Sequence, residues 1–220
     1  MSDKPECILF GVGTPYVYEV YESLLRDGIA VRAFVDNLDR GLGPRELGPV
    51  TGTTGLPEEW KDLPLYIPLL TPGHRKVLLA QAKGLGFARF PAHCDPTAVM
   101  ASTAIVEDGV LVNALATIGA MTRIGPFCIV NRSASIGHHV VLEPFATLGP
   151  GCILCGSTAI GTGTFVGAGA VINPKVKVGR NSIVGAGAVV VRDLGDHVVA
   201  VGNPARVVKD GVAGYNDVSV

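Results

Sequence analysis

From Met100 to Val190 an aliphatic residue returns at every sixth position without a miss: Met100, Val106, Val112, Ile118, Ile124, Val130, Ile136, Leu142, Leu148, Leu154, Ile160, Val166, Ile172, Val178, Val184 and Val190. Two residues before each of these positions, from Val106 onward, stands a small or β-branched residue such as Ala116, Thr122, Cys128, Ala134, Ala146 or Thr158. An α-helix turns once in about 3.6 residues and would smear a period of six around its axis. Short strands joined by tight corners hold such a period, and a fixed repeat governs the whole reading of a chain. A slower period sets the size of one coil. Gly149-Pro150-Gly151 returns as Gly167-Ala168-Gly169 and as Gly185-Ala186-Gly187, a step of three rungs. Three flat faces per coil, stacked at about 4.8 Å, make a triangular prism. The glycines permit the corner's backbone angles. They also leave that edge free of side chains, so that a long thin ligand can lie against backbone there.

Charge divides the chain. Only eight of its 18 basic and 19 acidic residues fall between Met100 and Val190, which places a boundary near residue 96 between two differently built parts. The 220 residues, 48% hydrophobic, are enough for a real core. A net charge of −1, no basic run and only 6% aromatic residues argue against nucleic acid as a partner. The opening MSDKPECILFGVG lacks the apolar core of a secretory signal, and no stretch reaches the ~18 apolar residues of a membrane span. Five cysteines at irregular spacing fit free thiols in a reducing compartment, so the expected location is the cytoplasm. Cys128 and Cys152 fall on the small inward positions and read as core fillers.

Before the prism the pattern alternates strand and helix. Residues 7–10 read as a buried strand and Gly11-Val12-Gly13-Thr14-Pro15 as a tight loop. Tyr16 to Asp27 reads as a helix with Val17, Val20 and Leu24 on one face. Val31 to Val35 is a second strand, closing on Asp36-Asn37. Leu65 to Leu70 and Ala88 to Phe90 are further strand candidates, flanking a helix from His74 to about Lys83. Alternating β and α predicts a parallel sheet with crossover helices, a Rossmann-like α/β domain. Backbone N–H groups of Gly11, Gly13, Thr14 and Pro15's neighbours, opening a helix, favour a phosphate. An acid at the end of the second strand, Asp36 with Asn37, can hold a ribose or a base. An ordinary βα turn accounts for the same residues equally well.

The repeat resembles the hexapeptide-repeat acyltransferases. The order of parts, with Phe90-Pro91-Ala92-His93, Asp95-Pro96-Thr97-Ala98-Val99 and Ile129-Val130-Asn131, is similar to the nucleotide-sugar acetyltransferases of the sialic acid O-acetyltransferase and bacillosamine-pathway N-acetyltransferase group. The resemblance runs from Ile8 to about Arg206 and includes Val201-Gly202-Asn203-Pro204-Ala205-Arg206 after the prism. It implies residues 1–95 as a Rossmann-like nucleotide-sugar-binding domain, 96–193 as an all-β left-handed parallel β-helix, and 194–220 as a C-terminal tail. It further implies acetyl-CoA as co-substrate, no metal, a homotrimer, and a nucleotide-linked amino sugar of surface glycan synthesis as acceptor. Where the family's loop reads Gly-x-Gly-Gly-His-[AG], this chain has Gly11-Val12-Gly13-Thr14-Pro15-Tyr16.

Moving an acetyl group from a thioester to an amine needs a base, donors for the oxyanion and alignment of two substrates. Imidazole is the usual base. The prism holds two histidines, His138 and His139. His138 matches the family's base, and its equivalents one coil away are Ala120 and Gly156, which leave room beside it. The acid that follows the base in the family is here His139, and Glu143 is the nearest acid in sequence to orient the ring. Asn131 matches a position that contacts the acceptor sugar, or serves as a corner asparagine. Thr147, Gly156, Ala168 and Ala186 match positions along the acetyl-CoA groove, and Arg206 suits a CoA phosphate. A zinc site would want three histidines, and none converge in the repeat. The rival readings are an O-acetyltransferase acting on a free sugar or small metabolite, and a β-helical scaffold without activity.

Overall fold

The computed structural model describes residues 4–220, so the start of the first domain at residue 1 lies outside the described residues. The chain opens with β1 (Glu6–Phe10), α1 (Tyr16–Arg26), β2 (Ala30–Val35), β3 (Val50–Thr51), β4 (Leu65–Tyr66) and α2 (Pro72–Gly84). The four strands form one parallel sheet in the order β3-β2-β1-β4. β1 is central, and its run Cys7 to Phe10 is fully buried because both of its faces are covered. Val17, Val20 and Leu24 of α1 are buried on one stripe, as the helical spacing predicts. Three details differ from the sequence reading, the first being that of the stretch Leu65 to Leu70 only Leu65–Tyr66 is a strand. β3 is too short to carry a pattern. Ala88 to Phe90 forms no strand: Arg89 only offers its carbonyl to the N–H of Leu65, 2.9 Å away.

The repeat folds into three stacked parallel sheets. Each rung is a two-residue strand ending on an aliphatic position of the repeat, and each pairs with the rung eighteen residues on: Ile124 with Leu142, Val130 with Leu148, Ile136 with Leu154. The aliphatic column and the small column fill one continuous core with Cys128 and Cys152 inside it, both free thiols. His93–Cys94 already pairs with Leu111–Val112 as the first rung of one sheet. From Val106 to Val184 each corner turns through a left-handed residue three places after the aliphatic one. Glycine supplies it at Gly151, Gly169 and Gly187, but Ser133, His139, Phe145, Ser157 and Lys175 supply it elsewhere. The first glycine of each triplet has another cause. A Cβ on Gly149 would lie 2.6 Å from the backbone nitrogen of Ala168, so it is the close stacking of coils that excludes a side chain there.

Outward side chains show which face is covered. Val99 is 67% exposed and Ile105 52%, each on one of two open faces. On the third face Leu111, Ile129 and Thr147 are buried, because the N-terminal sheet packs onto them. Farther along that face the tail returns: Tyr215 stacks on Phe165 with ring centroids 3.8 Å apart, and Asn216 donates to the hydroxyl of Thr71. One side chain fastens the seam. Arg75 of α2 is 1% exposed and, among the described residues, faces no carboxylate. Its Nε donates to the carbonyl of Phe127 (2.8 Å), Nη1 to those of Leu69 and Leu70, and Nη2 to the carbonyl of Phe145 (2.6 Å) and the hydroxyl of Thr147. Phe127 and Phe145 are left-handed corner residues of successive coils, and their rings stack 5.5 Å apart.

Candidate active site

His138 and His139 sit at one corner, both exposed. The corner backbone sets their relation, since His139 holds the left-handed position with φ of 57°. Their Nδ1 atoms are 3.0 Å apart with the rings nearly perpendicular. One Nδ1 therefore carries a proton and donates it to the other. For His138 to accept a proton at Nε2, its own proton stands on Nδ1 and points to His139. The ring lies over Gly156 of the next coil: a Cβ on that glycine would come 2.6 Å from Nε2 and 2.7 Å from Cε1. The space beside His138 is thus the seat of its own imidazole, which corrects the expectation that Gly156 leaves room for substrate on that side.

Glu143 is not brought to this ring. It occupies another corner, where its carboxylate accepts from the backbone N–H (3.1 Å) and the hydroxyl (2.9 Å) of Thr162. His139, not Glu143, is the group in contact with His138. Thr147 is likewise displaced from its expected place. It is fully buried, accepts from Arg75, and donates to the carbonyl of Leu70 at 2.9 Å, so it lines no groove. Ala168 and Ala186 are exposed on the bare edge. Val201-Gly202 continues that edge by pairing of the strand Val199–Gly202 with the rung Ile183–Val184, and Arg206 is paired with Val201 at its end. Ala168, Ala186 and Arg206 are therefore gathered along one edge, headed by Asn131. Within a single chain His138 and Gly156 stand at a different corner.

At the carboxyl ends of β1 and β2 lies a cavity of about 350 Å³, lined in part by Gly11, Gly13, Thr14, Asn37, Arg40 and His74. Pro15 lies outside it, on a second shallow pocket beyond the loop. Gly11 has φ of +81° and its N–H already bonds Val35, so it shapes the turn and offers no donor to a ligand. Asp36 is also committed. Its carboxylate accepts from the backbone N–H groups of Leu38, Arg40 and Leu42, and it is 1% exposed. Burial alone would raise its pKa, but those three bonds and the Arg40 charge outweigh it and lower the carboxyl below its usual range. Asp36 folds the loop, and its burial keeps its oxygens from a ribose, contrary to the expectation. Asn37 remains at the rim, its amide bonded to Gln81. The sequence reading missed Arg40 and His74; a basic residue four places past the strand-end acid was the available signal for Arg40.

His93 and His197 are structural. Ser23 Oγ lies 2.8 Å from His93 Nε2, and Asp27 3.6 Å from Nδ1, yet Ser23 and His93 are buried where no substrate reaches. His197 bonds the carbonyl of Val212. Among the described residues no three His, Cys, Asp or Glu side chains converge as metal ligands, and no helix is long and apolar enough to cross a membrane.

Comparison with known proteins now bears on this geometry. Residues 157–192 match the model of the bacterial transferase hexapeptide family (six repeats). A sequence comparison with curated proteins finds no match. Among solved structures, a variant of perosamine N-acetyltransferase from Caulobacter crescentus, in complex with CoA and GDP-perosamine, is 32% identical with a TM-score of 0.84, over 95% of this chain and 99% of that one. The chain belongs to the hexapeptide-repeat nucleotide-sugar acetyltransferases. The acetyltransferase domain of PglB from Neisseria gonorrhoeae, solved with acetyl coenzyme A, is 28% identical with a TM-score of 0.83, over 93% of this chain and all of that one. WeeI from Acinetobacter baumannii, 22% identical over 92% of this chain and all of that one, with a TM-score of 0.77, shares the fold. As a member of this family the chain is an acyltransferase, and its three stacked sheets fit the left-handed β-helix.

Proposed function

We propose that this acetyltransferase moves an acetyl group from acetyl-CoA directly to the amino group of a nucleotide-linked amino sugar, in the cytoplasm, for surface glycan synthesis. The observation that carries the reading is the exposed imidazole of His138, seated on Gly156 and held through Nδ1 by His139. In the step, the amine nitrogen attacks the thioester carbonyl and gives a proton to His138 Nε2. The carbon–sulfur bond then breaks, and the CoA thiolate leaves to be protonated. In this reading residues 1–95 form a Rossmann-like part that binds the nucleotide at the cavity between Gly13, Asn37, Arg40 and His74. Residues 96–193 carry the transfer, and 194–220 close the end of the bare edge with Arg206 toward a CoA phosphate.

The two corners require a second copy of the chain. A CoA arm lying along Ala168 and Ala186 is at a different corner from His138 of the same prism, so the reaction joins the bare edge of one protomer to the imidazole of its neighbour, in a homotrimer. The experiment is to mix acetyl-CoA with GDP-, UDP- and dTDP-linked amino sugars and follow CoA release. Release with one of them supports the reading. Release with none overturns it. One observation favours a second reading, O-acetylation of a free sugar: Asp36, the acid expected to meet a nucleotide, is consumed by its own loop. Calorimetric titration with GDP, UDP and dTDP separates the two, since that reading requires that none of them bind.

A further inference from the structure

His138 and His139 meet through their Nδ1 atoms, 3.0 Å apart, with the rings at 87° to each other. A neutral imidazole carries one N–H and one bare nitrogen. Two bare or two protonated Nδ1 atoms at this distance would repel, so the contact holds a single proton. That proton has two places to stand. On His138 Nδ1, it leaves the Nε2 of His138 bare and able to take a proton from a substrate. On His139 Nδ1, it leaves hydrogen already on the Nε2 of His138, which can then take none. Each arrangement contains one ring of either tautomer, so the intrinsic preference of imidazole for one tautomer cancels between them.

Nothing in the chain breaks the tie. Among the described residues neither Nε2 bonds to a protein group. On the adjoining coils the same two places hold Ala120 and Met121 on one side, and Gly156 and Ser157 on the other, none of them charged. Both rings are exposed to water, which donates and accepts alike. The corner fixes where the rings stand, with His139 at φ of 57° and His138 over Gly156, and leaves open which ring holds the proton. A carboxylate at the place of His139 would settle it, because a carboxylate only accepts. It would also meet the imidazolium formed in the reaction with an opposite charge, where His139 offers a neutral nitrogen.

We infer that His139 is a positioning residue that holds the base through a shared proton, so that the free protein keeps His138 ready to accept at Nε2 in only part of its molecules. The inference rests on His138 being the base, as in the proposed function. It makes His139 a position where the right substitution speeds the reaction.

Nitrogen-15 NMR of protein labelled in its five histidines reads the tautomers directly, because bare and protonated ring nitrogens resonate far apart. His138→Gln and His139→Gln assign the signals of the pair. At about pH 8.5, well above the reference imidazole value of about 6.5, all four nitrogens of the pair are expected between the bare and protonated positions in the free wild-type protein. Asp and Asn both accept the left-handed corner, and their δ atoms stand about where Nδ1 of His139 stands. In His139→Asp, Nε2 of His138 is expected to move to the bare position and Nδ1 to the protonated one. The rate of acetyl transfer in a single turnover is expected to rise about twofold or more over the wild type in His139→Asp, the gain of readying every molecule where about half were ready. His139→Asn keeps the same shape but ends in an amide that again can donate or accept, and is expected to stay at least about twofold below His139→Asp.

A single tautomer of His138 in the wild-type protein, of either kind, overturns the inference. So does an equal rate in the Asp and Asn variants, or an Asp variant slower than the wild type. Each of these leaves the proposed function standing. If the wild-type protein releases no CoA with any nucleotide-linked amino sugar, or loses nothing in His138→Ala, the reading of His138 as base falls, and the role of His139 falls with it whatever the spectrum shows.

Discussion

Single side chains decide whether the chemistry is in place. His138→Ala is expected to lower kcat at least tenfold, about 1.4 kcal/mol of barrier, in the CoA-release assay; a smaller loss removes His138 as the base. Gly156→Ala is expected to act on the same quantity without touching the imidazole chemically, because its methyl would occupy the ring's seat. Unchanged kcat in that variant would show that the ring does not work from that seat. A different residue tests the core. Thr158 Oγ1 is buried with no partner, while its column neighbours one coil away on each side are Val140 and Val176. Thr158→Val keeps the shape and removes the orphaned hydroxyl, so it is expected to stabilise the protein by about 1 kcal/mol in urea unfolding. His138 was legible in the sequence because a period of eighteen names the residues above and below it. The same period separates Glu143 from His138, since residues five apart along the chain lie at different corners, and Glu143 turns to Thr162 instead.

At the scale of elements, the joint between α2 and the prism is the part most sensitive to substitution. Arg75 satisfies carbonyls of two successive corners, and burial lowers its pKa to about 10. Arg75→Met fits the space but strands those acceptors, and the expected loss is about 3 kcal/mol by urea unfolding. A loss under ~1 kcal/mol would mean that the seam is held by apolar packing alone. The joint at α1 responds to acid. Burial lowers the pKa of His93, against the pull of Asp27 and Asp95. The folded chain thus prefers the neutral ring, and stability declines as pH falls below the unfolded value of about 6.5, where the unfolded chain takes the proton first. Asp95 adds a second limb. Burial would raise its carboxyl, but bonds from Arg26, Thr97 and Ser23 outweigh that and hold it low, so its contribution is present above about pH 4 and lost below. Melting temperature is expected to be flat from pH 7 to 8 and to fall in two steps on acidification; His93→Gln is expected to abolish the first. The strands and helices themselves were readable from period and caps. The seam was not, because nothing in the string HRKV distinguishes an arginine pointing inward at Arg75 from the exposed His74 and Lys76 beside it.

For the whole molecule, His138 and the bare edge lie at different corners of one prism, so the proposed reaction predicts that transfer needs two neighbouring copies. His138→Ala and Ala186→Trp are each expected to be inactive alone. Refolded together they are expected to regain activity, since some pairs of neighbours then join an intact imidazole to an intact edge. No recovery in a verified mixed oligomer would place both halves of the site in one chain. The sequence by itself determined the prism, its coil length, its core and the corner positions of His138, Asn131, Ala168 and Ala186, because an exact repeat maps position in the chain directly onto position in space. The non-repeating half obeyed no such map. Tertiary structure alone decided that Thr147 lies beneath Arg75 and that Tyr16 reaches Asn113. Each of these depends on how one rigid unit is laid against another, and that docking is fixed by side-chain contacts between residues far apart in sequence, which leave no period to read.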